Sequence, residues 1–466
     1  MQFEFYVGVD LARVAAHWAC VLDRDLAPVG ERQFEHSGVA IESFVTWLTG
    51  LAEPSRIAVG VESPDGAVVE TLVERGFQVH HLNPKQLDRF RDRVAPSGAK
   101  SDQRDAWVLA RSLGTDAHCF RPVVLLDALH VQLREANRER EEILEQLRRE
   151  ANRLQSLLAR VFPQALKLSS SANDRWLWGV LEIAPTPAEA KRLRPAQVKR
   201  VLKECRIRRL APRDVVKVLR EPAPTVAPGT EEACGRRVRR LVRRLERLRA
   251  DLREVEQDCA RFLGALERGD DHDDHDDHDD ATGDLPDGAE GTELGATPPE
   301  QAPPPPDSAR EEADRPPTDA AILLSMPGVG PCVAAALLTE TAGALHSRNY
   351  EMLRALSGVA PVTEASGKRS GRRARVRIRR ACRRRLRNAV HYWAGVALQH
   401  DLSAKAHYQT LRGKGGSYGR ALRGVADRLL RILLGALRTR TLYDAGRLQG
   451  TYARVAAASP LALAKG

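Results

Sequence analysis

Two aspartates three residues apart, Asp102 and Asp105 in "KSDQRDAW", stand among Lys and Arg in a basic chain. In a helix they share one face, with Cβ atoms about 5–6 Å apart. Two further acids close apolar segments: Asp10 ends "YVGVD" and Glu62 ends "IAVGVE". A carboxylate at the end of a buried strand is costly unless it is paired or metal-bound. Four such carboxylates meeting at one place could hold two divalent cations about 3.5–4 Å apart, activating a nucleophile and stabilising a leaving oxygen at a phosphodiester. Oxygen ligands and substrate phosphates favour Mg²⁺, with Mn²⁺ as a substitute. Each acid alone has a plain explanation, as helix decoration or a strand-end turn residue. Nearby Asp65, in "ESPDG", reads as an acid complementing a helix dipole. The full set in one element order is far more specific.

The elements that must position these acids read as α/β over residues 3 to 113. "FEFYVGVD", "HWACVLD" and "ERQFEH" read as strands, followed by the amphipathic helix "VAIESFVTWLTGLA" and the buried strand "RIAVGVE". "GAVVETLVERG" is a helix stopped at Gly76, "FQVHHL" is a strand, and helix returns by "DQRDAWVLARSL". The order β-β-β-α-β-α-β-α is that of an RNase H-like domain. There the first strand, the fourth strand and the last helix meet at one edge of the sheet.

Beyond this region the chain reads as helical. Residues 124 to about 162 form a long charged helix whose apolar seam is interrupted by Arg140 and Glu150. From Val238 to Leu266 apolar residues recur in steps of three and four without a miss, a coiled-coil pattern. The two helices could fold back as a hairpin in one chain or join two chains, and self-association as a dimer or tetramer is expected. A helical domain follows from 320, opening with "ILLSMPGVGPCVAAALLTETAG". Backbone amides near Gly328 and Gly330 could meet a DNA phosphate there, or the glycines could serve close helix packing.

With 466 residues, two or more domains are expected. No apolar run approaches the roughly 18 residues of a membrane span, so no membrane partner is expected. The first residues read as a strand rather than a leader, which predicts a cytoplasmic, nucleoid-associated protein. Seven scattered cysteines without a CxxC pair argue against disulfides and zinc ribbons. The net charge of +11 is unevenly spread: residues 269–319 hold 18 Asp/Glu and 2 Arg, leaving 71 Lys/Arg against 44 Asp/Glu elsewhere. The acidic stretch, with "DDHDDHDDHDD" and a proline run, reads as a disordered linker rather than a metal site. A body that basic calls for a polyanionic partner, most simply nucleic acid.

"VGVDLARV", "VGVESPDGAVVETLVERGFQVHHLNPKQLDRFR" and "GAKSDQRDAWVLAR" resemble the DEDD, RuvC-like N-terminal domain of a bacterial insertion-sequence transposase family. "LLSMPGVGPCVAAALLTETAG" and "LRALSGVAPVTEASGKRSG" resemble that family's C-terminal helical domain. The resemblance implies a metal-binding tetrad at Asp10, Glu62, Asp102 and Asp105, and a catalytic serine, matched by "APVTEASG", at Ser366. It further implies recombination between donor and target DNA, guided by a bridge RNA encoded by the element. Residues 366–387 hold 12 Lys/Arg and no acid, so Ser366 would face a phosphate in a positive field. Lys368, Arg369, Arg372, Arg373, Arg375 and Arg377 read as phosphate contacts. From its own surroundings Ser366 could equally be a turn serine before Gly367. The segments expected are 1–122 RuvC-like, 123–268 helical coiled coil, 269–319 linker, 320–446 C-terminal transposase domain and 447–466 tail. Two other functions fit the residues. One is a RuvC-type nuclease cutting branched DNA by water attack, and the other a non-catalytic coiled-coil protein that binds nucleic acid.

Overall fold

The computed structural model describes residues 3–12, 15–94, 101–169, 171–269, 316–364 and 375–446. They form two units, Met1–Asp127 and Ala128–Gly466.

The first unit is built on β1 (Phe5–Asp10), β2 (His17–Asp23), β3 (Pro28–Phe34), β4 (Ile57–Val61), β5 (Gln78–His81) and β6 (Arg121–Pro122). They lie in the order β3-β2-β1-β4-β5-β6. β1 to β3 pair antiparallel, β4 pairs parallel with β1 and β5, and β6 returns antiparallel. The third strand begins earlier than expected, and the short β6 has no sequence signal.

Alternation along β1 and β4 sends Val7, Val9, Val59 and Val61 to one face of the sheet, since successive side chains point to opposite sides. There they pack with Phe44 and Leu48 of α1 (Gly38–Thr49) and Val68 and Leu72 of α2 (Ala67–Glu74). The other face carries α3 (Pro84–Val94) and α4 (Asp102–Thr115), with Ala58 against Leu109 and Leu113. Ser101 caps α4 by accepting from the Arg104 amide at 3.3 Å. α2 stops at Glu74, and Gly76, at φ +87° two residues on, turns the chain out of it where sequence placed the stop.

In the second unit, α5 (Ala128–Val161) and α11 (Thr230–Arg268) pack along each other within one chain. Ion pairs Arg140–Glu256 at 3.4 Å and Glu150–Arg244 at 3.3 Å show that they run antiparallel. The two breaks in the apolar seam of α5 are thus its cross-links to α11. Between them lie α6 (Pro163–Leu168), α7 (Arg175–Ile183), α8 (Pro187–Ala190), α9 (Pro195–Glu204) and α10 (Pro212–Leu219). After residue 315 come α12 (Asp319–Ser325), α13 (Pro331–Glu340), α14 (Ala342–His346) and α15 (Tyr350–Leu356), then β7 (Pro361–Glu364) and β8 (Arg375–Ile378). The last helices are α16 (Arg384–His400), α17 (Leu402–Gly413) and α18 (Tyr418–Thr439). One apolar core runs from Leu133 to Leu437. Among the described residues no helix is long and apolar enough to cross a membrane. All seven cysteines are free. The acidic repeat and the tail from 447 lie outside the described residues.

Candidate active site

The parallel register of β1 and β4 sets Gly8 beside Gly60 and Val9 beside Val61. Asp10 closes β1 one residue past that row and Glu62 follows directly on β4, on strands about 4.8 Å apart. Asp10 follows Gly8 by two residues within β1 and so shares its face, whereas Glu62 stands just beyond β4.

Helix α4 is brought onto that face by the glycines. A Cβ on Gly8 would stand 2.0 Å from the Ala106 carbonyl oxygen and 2.4 Å from the Ala110 amide nitrogen. On Gly60 it would stand 3.4 Å from the Leu109 carbonyl oxygen. Further back along β1, Tyr6 lies against Gly114. Rising residue numbers on β1 thus meet falling numbers on α4. One more row, at Asp10, corresponds to the first turn of α4, which carries Asp102 and Asp105. The signal that sequence reasoning passed over is the repeat itself: Val-Gly-Val-acid occurs twice, in "VGVD" and "VGVE".

The side chains are not gathered on one point. Among the described residues no group of three or more His, Cys, Asp or Glu side chains is arranged to hold a metal ion. Asp105 is 2% exposed, and its two oxygens accept from Arg91 Nε at 2.6 Å and from Arg91 Nη2 at 2.9 Å. Arg91, on α3, also bonds Asp88 at 2.8 Å. This arginine was not foreseen, because nothing in a sequence pairs α3 with α4. Asp102 is exposed, while Asp10 and Glu62 are half-buried.

Beside Glu62 opens a cavity of about 650 Å³, lined by Leu11, His17, His36, Asp65, His81 and the start of α2. His17 is buried. One of its ring nitrogens accepts from the Ala12 amide at 3.1 Å, and the other lies 2.9 Å from His36 Nδ1. Burial, and then His36, push its pKa down, and its two bonds tie the turn after Asp10 to the segment that follows β3. No spacing in the sequence announces this pair.

In the second unit Gly328 is at φ +78°, and a Cβ there would meet the Ala397 amide of α16 at 2.8 Å. That glycine serves close packing. Gly330 begins α13 with open space around it. Trp393 is buried and donates to the Pro327 carbonyl at 2.9 Å, whereas neighbouring Tyr392 is exposed. Arg375 and Arg377 lie on β8, which pairs antiparallel with β7, Arg375 opposite Glu364. Ser366, Lys368, Arg369, Arg372 and Arg373 fall between these strands, outside the described residues.

Residues 7–163 match the IS110 DEDD transposase family model, and residues 320–409 match the model for the transposase IS116/IS110/IS902 family. "Putative transposase y4uE" of Sinorhizobium fredii is 41% identical over 231 residues, 49% of this chain and 63% of that protein. The chain thus spans somewhat less than two thirds of that relative. "Mini-circle putative transposase for IS117" of Streptomyces coelicolor is 30% identical over 409 residues, 85% of each chain. An uncharacterized 43.6 kDa protein of insertion element IS110, from the same species, is 24% identical over 449 residues, 94% of this chain and 95% of the other.

Proposed function

The chain belongs to the IS116/IS110/IS902 family of transposases, and we propose that it is a metal-dependent DNA recombinase whose cation site lies where β1, β4 and α4 meet. The observation that supports this reading is the close approach of α4 at Gly8 and Gly60, with β1 and β4 in parallel register beside it. The strand order and directions support an RNase H-like fold for the first unit, and the seam of α11 against α5 supports a coiled coil.

Hard oxygen donors suit Mg²⁺ or Mn²⁺. The donor set fits in chemistry and in backbone placement once Asp105 exchanges Arg91 for the ion. Asp10, Glu62, Asp102 and Asp105 would then hold it. When bound, the cations supply Lewis-acid stabilisation of charge at the scissile phosphate. Arg91 keeps a buried carboxylate paired until that exchange. His17 holds the turn that follows Asp10, and the cavity beside Glu62 gives a strand room to approach.

Ser366 is the nucleophile in this reading. Its Oγ–P bond forms, the P–O bond to the leaving sugar breaks, and the hydroxyl proton ends on the leaving oxygen. The arginines around it hold the phosphates of donor and target DNA, with an element-encoded bridge RNA choosing the sites and a dimer or tetramer bringing two DNAs together. Family membership, with the twelve basic residues at 366–387, supports this assignment. The test is a suicide DNA substrate followed by peptide mapping. A covalent adduct on Ser366, lost in Ser366→Ala and in Asp102→Ala, is expected. Cleavage without an adduct in the unmutated protein instead means water attack.

A further inference from the structure

Residues 191–220, in the helical insert between α5 and α11, hold twelve Lys or Arg and two acids. α9 and α10 bury Val198, Val201, Leu202, Val215, Val216 and Leu219 in the unit's core, so their charges are left outside. Lys199, Lys203, Arg206, Arg208, Arg209 and Arg213 are all exposed. Among the described residues none of these six forms an ion pair, and Glu204 is engaged by Arg200 at 3.8 Å. Crowded like charges repel one another, so the fold alone gives no reason for them.

The turn between the helices adds an independent observation. α9 ends in a six-residue loop closure in which the Ile207 amide donates to the Leu202 carbonyl at 2.8 Å and the Arg206 amide to the Lys203 carbonyl at 3.0 Å. The residue at the turn must be left-handed and is usually glycine. Here it is Arg206, at φ 55°. Among the described residues two other arginines adopt this strained conformation, Arg348 and Arg440, and both bond Asp319, at 2.6 and 2.7 Å. Among the described residues Arg206 has no such partner, and its neighbours in the chain, Lys203, Arg208 and Arg209, are exposed as it is.

We propose that the α9–α10 turn is a docking surface for the phosphate backbone of duplex DNA, in addition to the basic run at 366–387 of the sequence. The choice of DNA rests on the proposed transposase reading, while the surface rests on charge and strain. The test uses the full chain in EDTA, so that no cleavage occurs and a failed metal site or serine nucleophile leaves the result untouched. Binding of a short random-sequence duplex is followed by fluorescence anisotropy across about 50 to 200 mM salt. Combining Lys203→Gln, Arg206→Gly, Arg208→Gln and Arg209→Gln removes four contacts. Affinity at the low end is then expected to fall about tenfold or more, and the salt slope to flatten by about 3–4, at ~0.9 per phosphate lost. Arg206→Gly alone should raise Tm while weakening DNA binding, a pairing that a purely structural role excludes. An unchanged salt slope overturns the proposal. So does loss of binding to a duplex RNA of matching sequence with DNA binding intact.

Discussion

At the sheet of the first unit, two glycines side by side decide how near α4 comes, and with it Asp102 and Asp105 in its first turn. Along α5 and α11 of the second unit, placement is shared among Val238, Leu241, Leu245, Leu248 and Leu252, with ion pairs at Glu150 and Arg140 setting the register. The first arrangement concentrates its tolerance in a few atoms. The second spreads it over many interchangeable apolar contacts, where no single loss moves the whole. The metal centre proposed here would need its carboxylates closely placed, and a backbone-to-backbone contact supplies that better than leucines that can repack.

The contrast is broken most directly at Gly8. Gly8→Ala forces a methyl against helix backbone and is expected to cost about 3 kcal/mol or more. Hydrogen exchange should show lost protection in β1 and α4 together, with α5 and α11 untouched. Arg91→Met leaves Asp105 buried without its partner, a loss of about 3 kcal/mol. The same variant should gain more thermal stability from added Mg²⁺ than the unmutated chain does, because the competing cation is gone. Leu245→Ala, in the distributed region, is expected to cost about 2–3 kcal/mol, with faster exchange confined to α5 and α11. If Leu245→Ala instead disturbs α4, or Gly8→Ala proves harmless, the contrast is wrong.

A smaller effect concerns pH. The pKa of His17 is lowered by burial first and by His36 second. The unfolded chain therefore binds this proton more readily than the folded one. Its contribution is fully present above the ordinary histidine value of about 6.5 and is lost as pH falls below it. Protection factors of the β1 and β2 amides, exchange rates taken relative to the unstructured chain at the same pH, should fall on acidification, and His17→Asn should flatten that dependence.

Much of this was legible in the sequence. Asp10 and Glu62 announce themselves because an acid after an apolar run is anomalous, and Asp102 and Asp105 because helical spacing pairs them. The seam of α11 is plain from its periodicity. The interruptions at Arg140 and Glu150 could be seen but not interpreted, since Glu256 and Arg244 lie far along the chain. Gly8 and Gly60 were passed over because a glycine's function in a strand depends on what crosses above it. Arg91 was missed for the same reason: a buried ion pair between α3 and α4 is a property of packing. The basic insert at 191–220 escaped because its apolar residues are short-range and its charges are ordinary one at a time.

Whether the sheet edge holds a cation is settled by titrating the full-length protein with Mn²⁺ and counting free ion by electron paramagnetic resonance. Glu62→Gln keeps the shape of the edge and removes one charge from it. Site-bound Mn²⁺ in the unmutated chain, with affinity about 10-fold or more weaker in Glu62→Gln and again in Asp102→Asn, is the result expected. Equal affinity in all three proteins, or no bound Mn²⁺ in any, would contradict a metal centre at the meeting of β1, β4 and α4.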